Sequence, residues 1–309
     1  MRIQEQVSLK KLTTLRIGGP ARYFVSVRNS EELKDALKFA RDHKLSWYVI
    51  GEGSNLVPSD RGWRGIIIRV EIDGIRFVGR IVEVGGGENL LSFIHVLNKK
   101  GRAGMERMAG IPGSVAGAIY GNAGAYGQEI RNHLLSVTYF DGKSIKELKA
   151  AKKHLSYRSS IFKKHKNWII ISAYFRFATG SPRVLEKTSQ EIIALRKVKY
   201  HPRLKCPGSF FKNIVLDDLS SRERATLLSR VPIEKVLYGK IPAGYLLEQV
   251  GAKGMKQGKI CIAKHHGNLF YNAGGGSARD IKILAGRLKK KVKRTYGITL
   301  EEEVQYVPY

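Results

Sequence analysis

Apolar residues recur at Leu33, Ala36, Leu37 and Ala40 within residues 30–44, the spacing of a helix with one buried face, and Ser30 stands in front of them as a predicted N-cap. Residues 47–50 (WYVI) form an unbroken apolar run that leads straight into GEGSNLV, the pattern of a buried strand ending in a tight loop. Further strands are predicted from Gly65 (GIIIRV) and from Arg80 (RIVEVGGG), separated by a turn at Asp73-Gly74. Residues 89–100 read as a helix closed by Gly101, and strands follow at 136–140 and 168–177 around the turn Asp141-Gly142. Beyond the breaker cluster 179–182 (TGSP), the pattern predicts helices over 184–197, 243–250 and 278–296 and a last strand over 302–307. No internal repeat is visible. Strands and helices mix without a regular strand–helix–strand alternation, which predicts an α+β fold.

The chain has 309 residues, enough for about two domains of roughly 150 residues each. The TGSP cluster supplies the boundary, giving 1–180 and 181–309, with the first domain split again near residue 70. A hydrophobic share of 43% with 26% charged residues excludes a disordered chain. Two cysteines, Cys206 and Cys261, exclude a disulfide scaffold and an all-cysteine zinc site and fit a reducing compartment. No stretch of about 18 apolar residues exists, and residues 1–24 lack the apolar core of a signal peptide. A cytoplasmic chain without membrane attachment is expected.

The formal net charge of +29 admits three readings: a nucleic-acid binder, a basic cleft for a small anion, or a solvated surface. The densest basic block, residues 287–294 (RLKKKVKR), is interrupted by Leu288 and Val292 four apart and lies near a helix end closed by Gly297. Those features favour a solvated helix face, where cations complement the helix dipole. Zinc-finger spacing and RNA-binding motifs are absent, and the aromatic residues do not interleave with the basic block.

Candidate chemistry lies in two glycine-rich segments. Gly51-Glu52-Gly53-Ser54-Asn55 follows a strand, but it has neither the third glycine of a Rossmann fingerprint nor the Gly-Lys-Ser/Thr of a Walker loop. Backbone N–H groups there could close on phosphate oxygens, and a bland tight turn is equally compatible. Residues 101–127 hold eight glycines in 27 positions, far above the usual share of about 7%. The segment from Gly110 to Gly127 (GIPGSVAGAIYGNAGAYG) offers little side chain to bury, which favours close approach of backbone to a flat or phosphorylated ligand over a helix-packing seam.

Taken in order, LTTLRIGGPARYF, VIGEGSNLV, GIPGSVAGAIYGNAGAYG, YRSSIFK, GSFFKN, AGYLLEQVGAKG and LEEEV resemble the UDP-N-acetylenolpyruvoylglucosamine reductase family over nearly the whole chain. The resemblance implies a vanillyl-alcohol-oxidase (PCMH) type FAD-binding domain of two α+β subdomains, then a smaller α+β substrate domain whose end returns to the active site. It implies non-covalent FAD, NADPH as hydride donor and UDP-N-acetylglucosamine-enolpyruvate as the substrate reduced during peptidoglycan synthesis. A monomer is expected, with no metal and no nucleic-acid partner.

By the same resemblance, Gly51, Gly53, Ser54 and Asn55 would cradle the FAD pyrophosphate. Gly110, Ile111, Pro112, Gly113, Ser114 and Val115, with Gly117, Ala118, Asn122 and Gly124, would line the rest of the cofactor. Ser209 matches the family's proton donor, Arg158 the arginine that stabilises enolate and carboxylate, and Glu303 the glutamate of L-E-x-E-V. Arg196 and Lys199, spaced R-x-x-K, together with Lys212, Asn213 and His266 beside His265, would contact the substrate. Two departures stand out. Ile214 occupies a position where many relatives have proline, and residues 214–240 have no assignable counterpart. The short stretch between Phe177 and Arg196 matches the lidless subtype. The alternatives are an FAD oxidase or dehydrogenase on the same cofactor fold, and a basic nucleic-acid-binding protein with structural glycine loops.

Overall fold

The computed structural model describes residues Met1–Tyr309, the side chain of residue 152 left aside. The chain forms two compact units, each assembled from three segments: Met1–Val7, Ala21–Gly53 and Arg64–Val198 in the first, and Ser8–Pro20, Ser54–Trp63 and Lys199–Tyr309 in the second. The helix Pro182–Lys199 starts on the last residue of the TGSP cluster and falls within the first unit up to Val198.

The first unit is built on two larger sheets, with three two-stranded ribbons besides. One is four-stranded, in the order Gln4–Ser8, Pro20–Val27, Trp63–Val70, Trp47–Ile50, with the last two parallel. The other is a five-stranded antiparallel sheet in the order Ile145–Lys149, Leu134–Phe140, Ile169–Arg176, Ile81–Gly85, Ile75–Val78. A register shift between Thr138 and Tyr139 lets the strand Ile169–Arg176 serve two cores. Ile169 and Ile171 join the cluster of Val25, Leu33, Ala36, Ile66 and Ile68, while Ile170, Ala173 and Phe175 join that of Val82, Phe93, Leu97 and Ile119.

The predicted helices form with small corrections. The first spans Ser30–Asp42, and its cap is Asn29, whose side chain accepts from the Glu32 N–H at 2.8 Å; Ser30 is the first helical residue. The glycine-rich segment is not loop throughout. It contains the helix Val115–Gly121, capped by Ser114, and Val115, Ala118 and Ile119 are fully or almost fully buried. Core packing therefore holds a stretch that glycine content alone would leave unfolded. The hairpin strands Ile75–Val78 and Ile145–Lys149 escaped the apolar pattern because they lie at sheet edges and are largely exposed.

In the second unit a three-stranded sheet, Lys256–Gln257, Ile260–Ile262 and Phe270–Asn272, packs with the helices Ala243–Gln249 and Ala278–Tyr296. The long helix starts on a Ser277/Asp280 capping box, and the Asp60 carboxylate accepts from the Ala278 and Arg279 N–H groups at 2.7 and 3.1 Å. It ends at Gly297 in the left-handed region, and Leu288 and Val292 are fully buried while Arg287, Lys290, Lys293 and Arg294 face solvent. The last strand is Gln305–Val307, shorter than expected, and pairs in parallel with Leu56–Pro58. Residues 214–240 are an integral part of this unit: Leu216, Leu227, Val231 and Ile214 enter its core, around the helix Ser221–Leu228.

Candidate active site

In the first unit the two glycine segments meet. A Cβ on Gly51 would come within 2.6 Å of Ser114 Oγ, so the end of the strand Trp47–Ile50 lies directly against the start of the helix Val115–Gly121. Asn89 joins them, bridging Ser114 through the backbone and donating from Nδ2 to Glu52 Oε1 at 2.6 Å. Asn89 and Glu52 were missed in the sequence because they carry no glycine signature. Gly110 is left-handed at φ 79°, and a Cβ there would sit 3.2 Å from Arg196 Cδ, which places Arg196 against the loop of Ile111, Pro112 and Gly113. Gly51→Ala is expected to displace Ser114 Oγ from its 3.2 Å cap on the Gly117 N–H and to destabilise the protein by about 1–2 kcal/mol, read as a lowered urea midpoint.

The glycines of the helix Val115–Gly121 leave space beside its backbone. Cβ positions at Gly117 and Gly121 would meet open space or only Ser114 Oγ at 3.5 Å, so one face of the helix leaves its backbone accessible. Asn122 is fully buried, donates from Nδ2 to Ser156 O at 2.8 Å and Glu129 Oε2 at 3.1 Å, and has no hydrogen-bond partner for Oδ1 among the described residues. A buried acceptor left so costs about 1–3 kcal/mol, which a ligand's N–H would recover. Tyr48 and Tyr120 are phenols in the same unit, each pushed above its ordinary value by burial. Arg158 holds a left-handed backbone, φ 52°, uncommon for a non-glycine residue. Its guanidinium donates to Gly124 O at 3.0 Å, and its own carbonyl accepts from Lys163 Nζ at 2.7 Å.

In the second unit Ser209, Glu303 and Asn55 converge, although the chain separates them widely. The Glu303 N–H donates to Phe210 O at 2.8 Å, the Lys212 N–H donates to Glu301 O at 2.9 Å, and Phe211 bridges Glu302. Asn55 Nδ2 donates to Glu303 O at 3.1 Å, and Asn55 O accepts from the Gln305 N–H at 2.9 Å. Glu302 and Glu303 thus lie ahead of the last strand, held by backbone pairing with the serine segment. On its other side, buried Asn268 clamps that segment: its O accepts from Phe210 N–H at 3.0 Å, its Oδ1 accepts from Phe211 N–H at 2.8 Å, and its Nδ2 donates to Phe211 O at 2.8 Å. The Thr14 hydroxyl donates to Cys206 O at 2.7 Å and lies 3.3 Å from Ser54 O.

The remaining candidates of this unit surround the clamp. Lys212 Nζ pairs with Glu301 Oε2 at 2.7 Å, and Asn213 Oδ1 accepts from the Ala243 N–H at 3.2 Å. Lys199 O lies 2.9 Å from His265 Nε2, and His266 Nδ1 accepts from the Asn268 N–H at 3.0 Å. Burial, with Lys199 and His265 nearby, pushes His266 down to about 4 against the opposing pull of Glu248, so its ring is neutral at pH 7 and presents an Nε2–H donor. Tyr200, absent from the sequence assignment, places its hydroxyl 2.8 Å from Ser209 Oγ. No group of three or more His, Cys, Asp or Glu side chains among the described residues could hold a metal, and no helix among them is long and apolar enough to cross a membrane.

One α+β unit brings two glycine-rich segments together, a second unit carries a clamped serine segment and glutamate, and by class the chain is an FAD-binding protein. A family model described as an FAD binding domain matches residues 21–145, and one described as UDP-N-acetylenolpyruvoylglucosamine reductase, C-terminal domain, matches residues 201–307. The chain is 41% identical over 305 residues to the UDP-N-acetylenolpyruvoylglucosamine reductase of Solibacter usitatus (strain Ellin6076), covering 99% of this chain and 96% of that one. It is 32% identical over 298 residues to the reductase of the same name from Bacillus subtilis (strain 168), covering 96% and 90%. The crystal structure of UDP-N-acetylenolpyruvylglucosamine reductase (MurB) from Thermus caldophilus superposes with a TM-score of 0.77 at 27% identity, covering all of both chains. The chain belongs to the UDP-N-acetylenolpyruvoylglucosamine reductase (MurB) family, with a PCMH-type FAD-binding domain followed by an α+β C-terminal domain.

Proposed function

We propose that this flavoenzyme uses NADPH to reduce the enolpyruvyl group of UDP-N-acetylglucosamine-enolpyruvate, yielding UDP-N-acetylmuramate for peptidoglycan synthesis, as a cytoplasmic monomer. The observation that carries this reading is the docking of Glu303 and Asn268 on either side of Phe210 and Phe211, which fixes Ser209. When bound, FAD would supply the redox chemistry that links NADPH oxidation to reduction of the enolpyruvyl double bond. The glycine segments at 51–55 and 110–124 would hold that cofactor, and Asn122 Oδ1, without a partner among the described residues, would be an acceptor for it.

Addition of hydride to the vinyl CH2 leaves carbanion character beside the substrate carboxylate. Arg158 balances that charge, and its strained backbone is a cost tolerated for such a placement. Ser209 Oγ–H delivers the proton that completes the reduced carbon, and Glu303 orients the reacting group. Arg196, Lys199 and Lys212 contact the diphosphate and carboxylate, and Asn213 and neutral His266 add hydrogen bonds.

The test is spectroscopic. The purified protein should show a flavin absorption spectrum that NADPH bleaches without oxygen and the enolpyruvyl sugar nucleotide restores. A protein unable to bind FAD would end this reading. Reoxidation by other electron acceptors but not by that substrate would turn it toward a different flavin-dependent dehydrogenase.

A further inference from the structure

We propose that Tyr200 is the positioning residue for Ser209, holding its hydroxyl and passing a proton to it as the serine protonates the substrate. This rests on the reading of Ser209 as proton donor. The backbone around Ser209 is immobilised: Ser209 bridges Leu269, and the Phe210 N–H and C=O are taken by Asn268 and Glu303. What remains free at the serine is rotation of its hydroxymethyl group. The Tyr200 hydroxyl, 2.8 Å from Ser209 Oγ, selects among those rotamers.

The chemistry gives the contact a second use. A Ser209 that gave up its proton unaided would be left as an alkoxide, the conjugate base of a hydroxyl about as weakly acidic as water. A phenol O–H is far more acidic than an aliphatic hydroxyl, so passing a proton from the tyrosine to the serine as it loses its own runs downhill. The Lys199 ammonium lies over the Tyr200 ring, 5.0 Å from its centroid. The protons balance. The Ser209 O–H bond breaks as a C–H bond forms on the substrate α-carbon, the Tyr200 O–H breaks as the Ser209 O–H re-forms, and solvent restores the tyrosine. No electrons move at either residue.

The test uses the FAD-loaded enzyme and follows the two half-reactions separately. Tyr200→Phe should leave flavin reduction by NADPH within about twofold and slow reoxidation by the enolpyruvyl substrate about 10–100-fold. The dependence of reoxidation on the D2O fraction should curve in the parent enzyme, with two protons moving, and become linear in Tyr200→Phe. The double variant with Ser209→Ala should be no slower than Ser209→Ala alone, since both act on one proton path. A Tyr200→Phe enzyme that reoxidises at the parent rate while Ser209→Ala is slow overturns the relay and leaves the serine reading standing. A Ser209→Ala enzyme of parent rate overturns both. Should Tyr200→Phe fail to fold, the parent enzyme decides: a straight dependence on D2O fraction overturns the relay.

Discussion

Ser209→Ala should reoxidise its flavin with the enolpyruvyl substrate roughly 10²–10⁴-fold more slowly than the parent while its reduction by NADPH stays within about twofold. The asymmetry follows from where the hydroxyl acts. In the proposed reaction, hydride passing from NADPH to the cofactor would require no proton from this side chain, whereas completing the reduced substrate would. Alanine preserves the backbone because the Phe210 and Phe211 hydrogen bonds to Asn268 do not involve the Ser209 side chain. Stopped-flow absorbance under anaerobic conditions measures both phases. Equal loss in the two would remove the proton-donor assignment and point to disturbed cofactor binding.

The second large effect is on stability. Asn268→Ala should lower unfolding free energy by about 2–4 kcal/mol, because it strips partners from the Phe211 N–H and C=O at once. Asn268 is only 2% exposed and Phe211 1%, so water cannot replace those hydrogen bonds without opening the core. Urea titration should show a lower midpoint with an unchanged slope. A shift below about 0.5 kcal/mol, the range of ordinary surface substitutions, would mean that the clamp does not hold the serine segment.

Long amphipathic elements were legible in the sequence because one physical signal determines them. The helix 278–296 was predicted to the residue, its apolar face at Leu288 and Val292 and its stop at Gly297 both being local facts. The helix Val115–Gly121 was not legible, since its stability comes from the partners of Val115, Ala118 and Ile119 rather than from its own composition. The last strand was drawn too long for a related reason: Glu302 and Glu303 are extended, but their pairing is with the serine segment. A signal for the helix within 214–240 was present and unread, the Ser220-x-x-Glu223 capping box.

The site divides in the same way. Glycine density marked two segments that meet in the first unit, the serine motif marked one that is clamped in the second, and only the family resemblance implied their roles. The neighbours that position them, Asn268, Tyr200 and Thr14, carry no local pattern at all. Tyr200 is nine positions from Ser209, a spacing with no periodic meaning, and Asn268 is 57 positions from Phe211. Such residues become visible only when the backbone has brought distant segments together.

The three-segment make-up of the second unit also constrains how the polypeptide can acquire its structure during synthesis. Leu15, Ile17 and Val57 belong to a core otherwise built from residues beyond 209, and Asn55 meets Glu303 across 248 positions. The early segments must therefore wait, solvent-exposed, while the intervening chain is made. Closing loops of that size is slow because the entropy of bringing the ends together is lost before any contact rewards it. A fragment beginning at Lys199 would lack the strand Leu56–Pro58 that Gln305–Val307 pairs with, and it would emerge as an aggregation-prone chain rather than an independent domain.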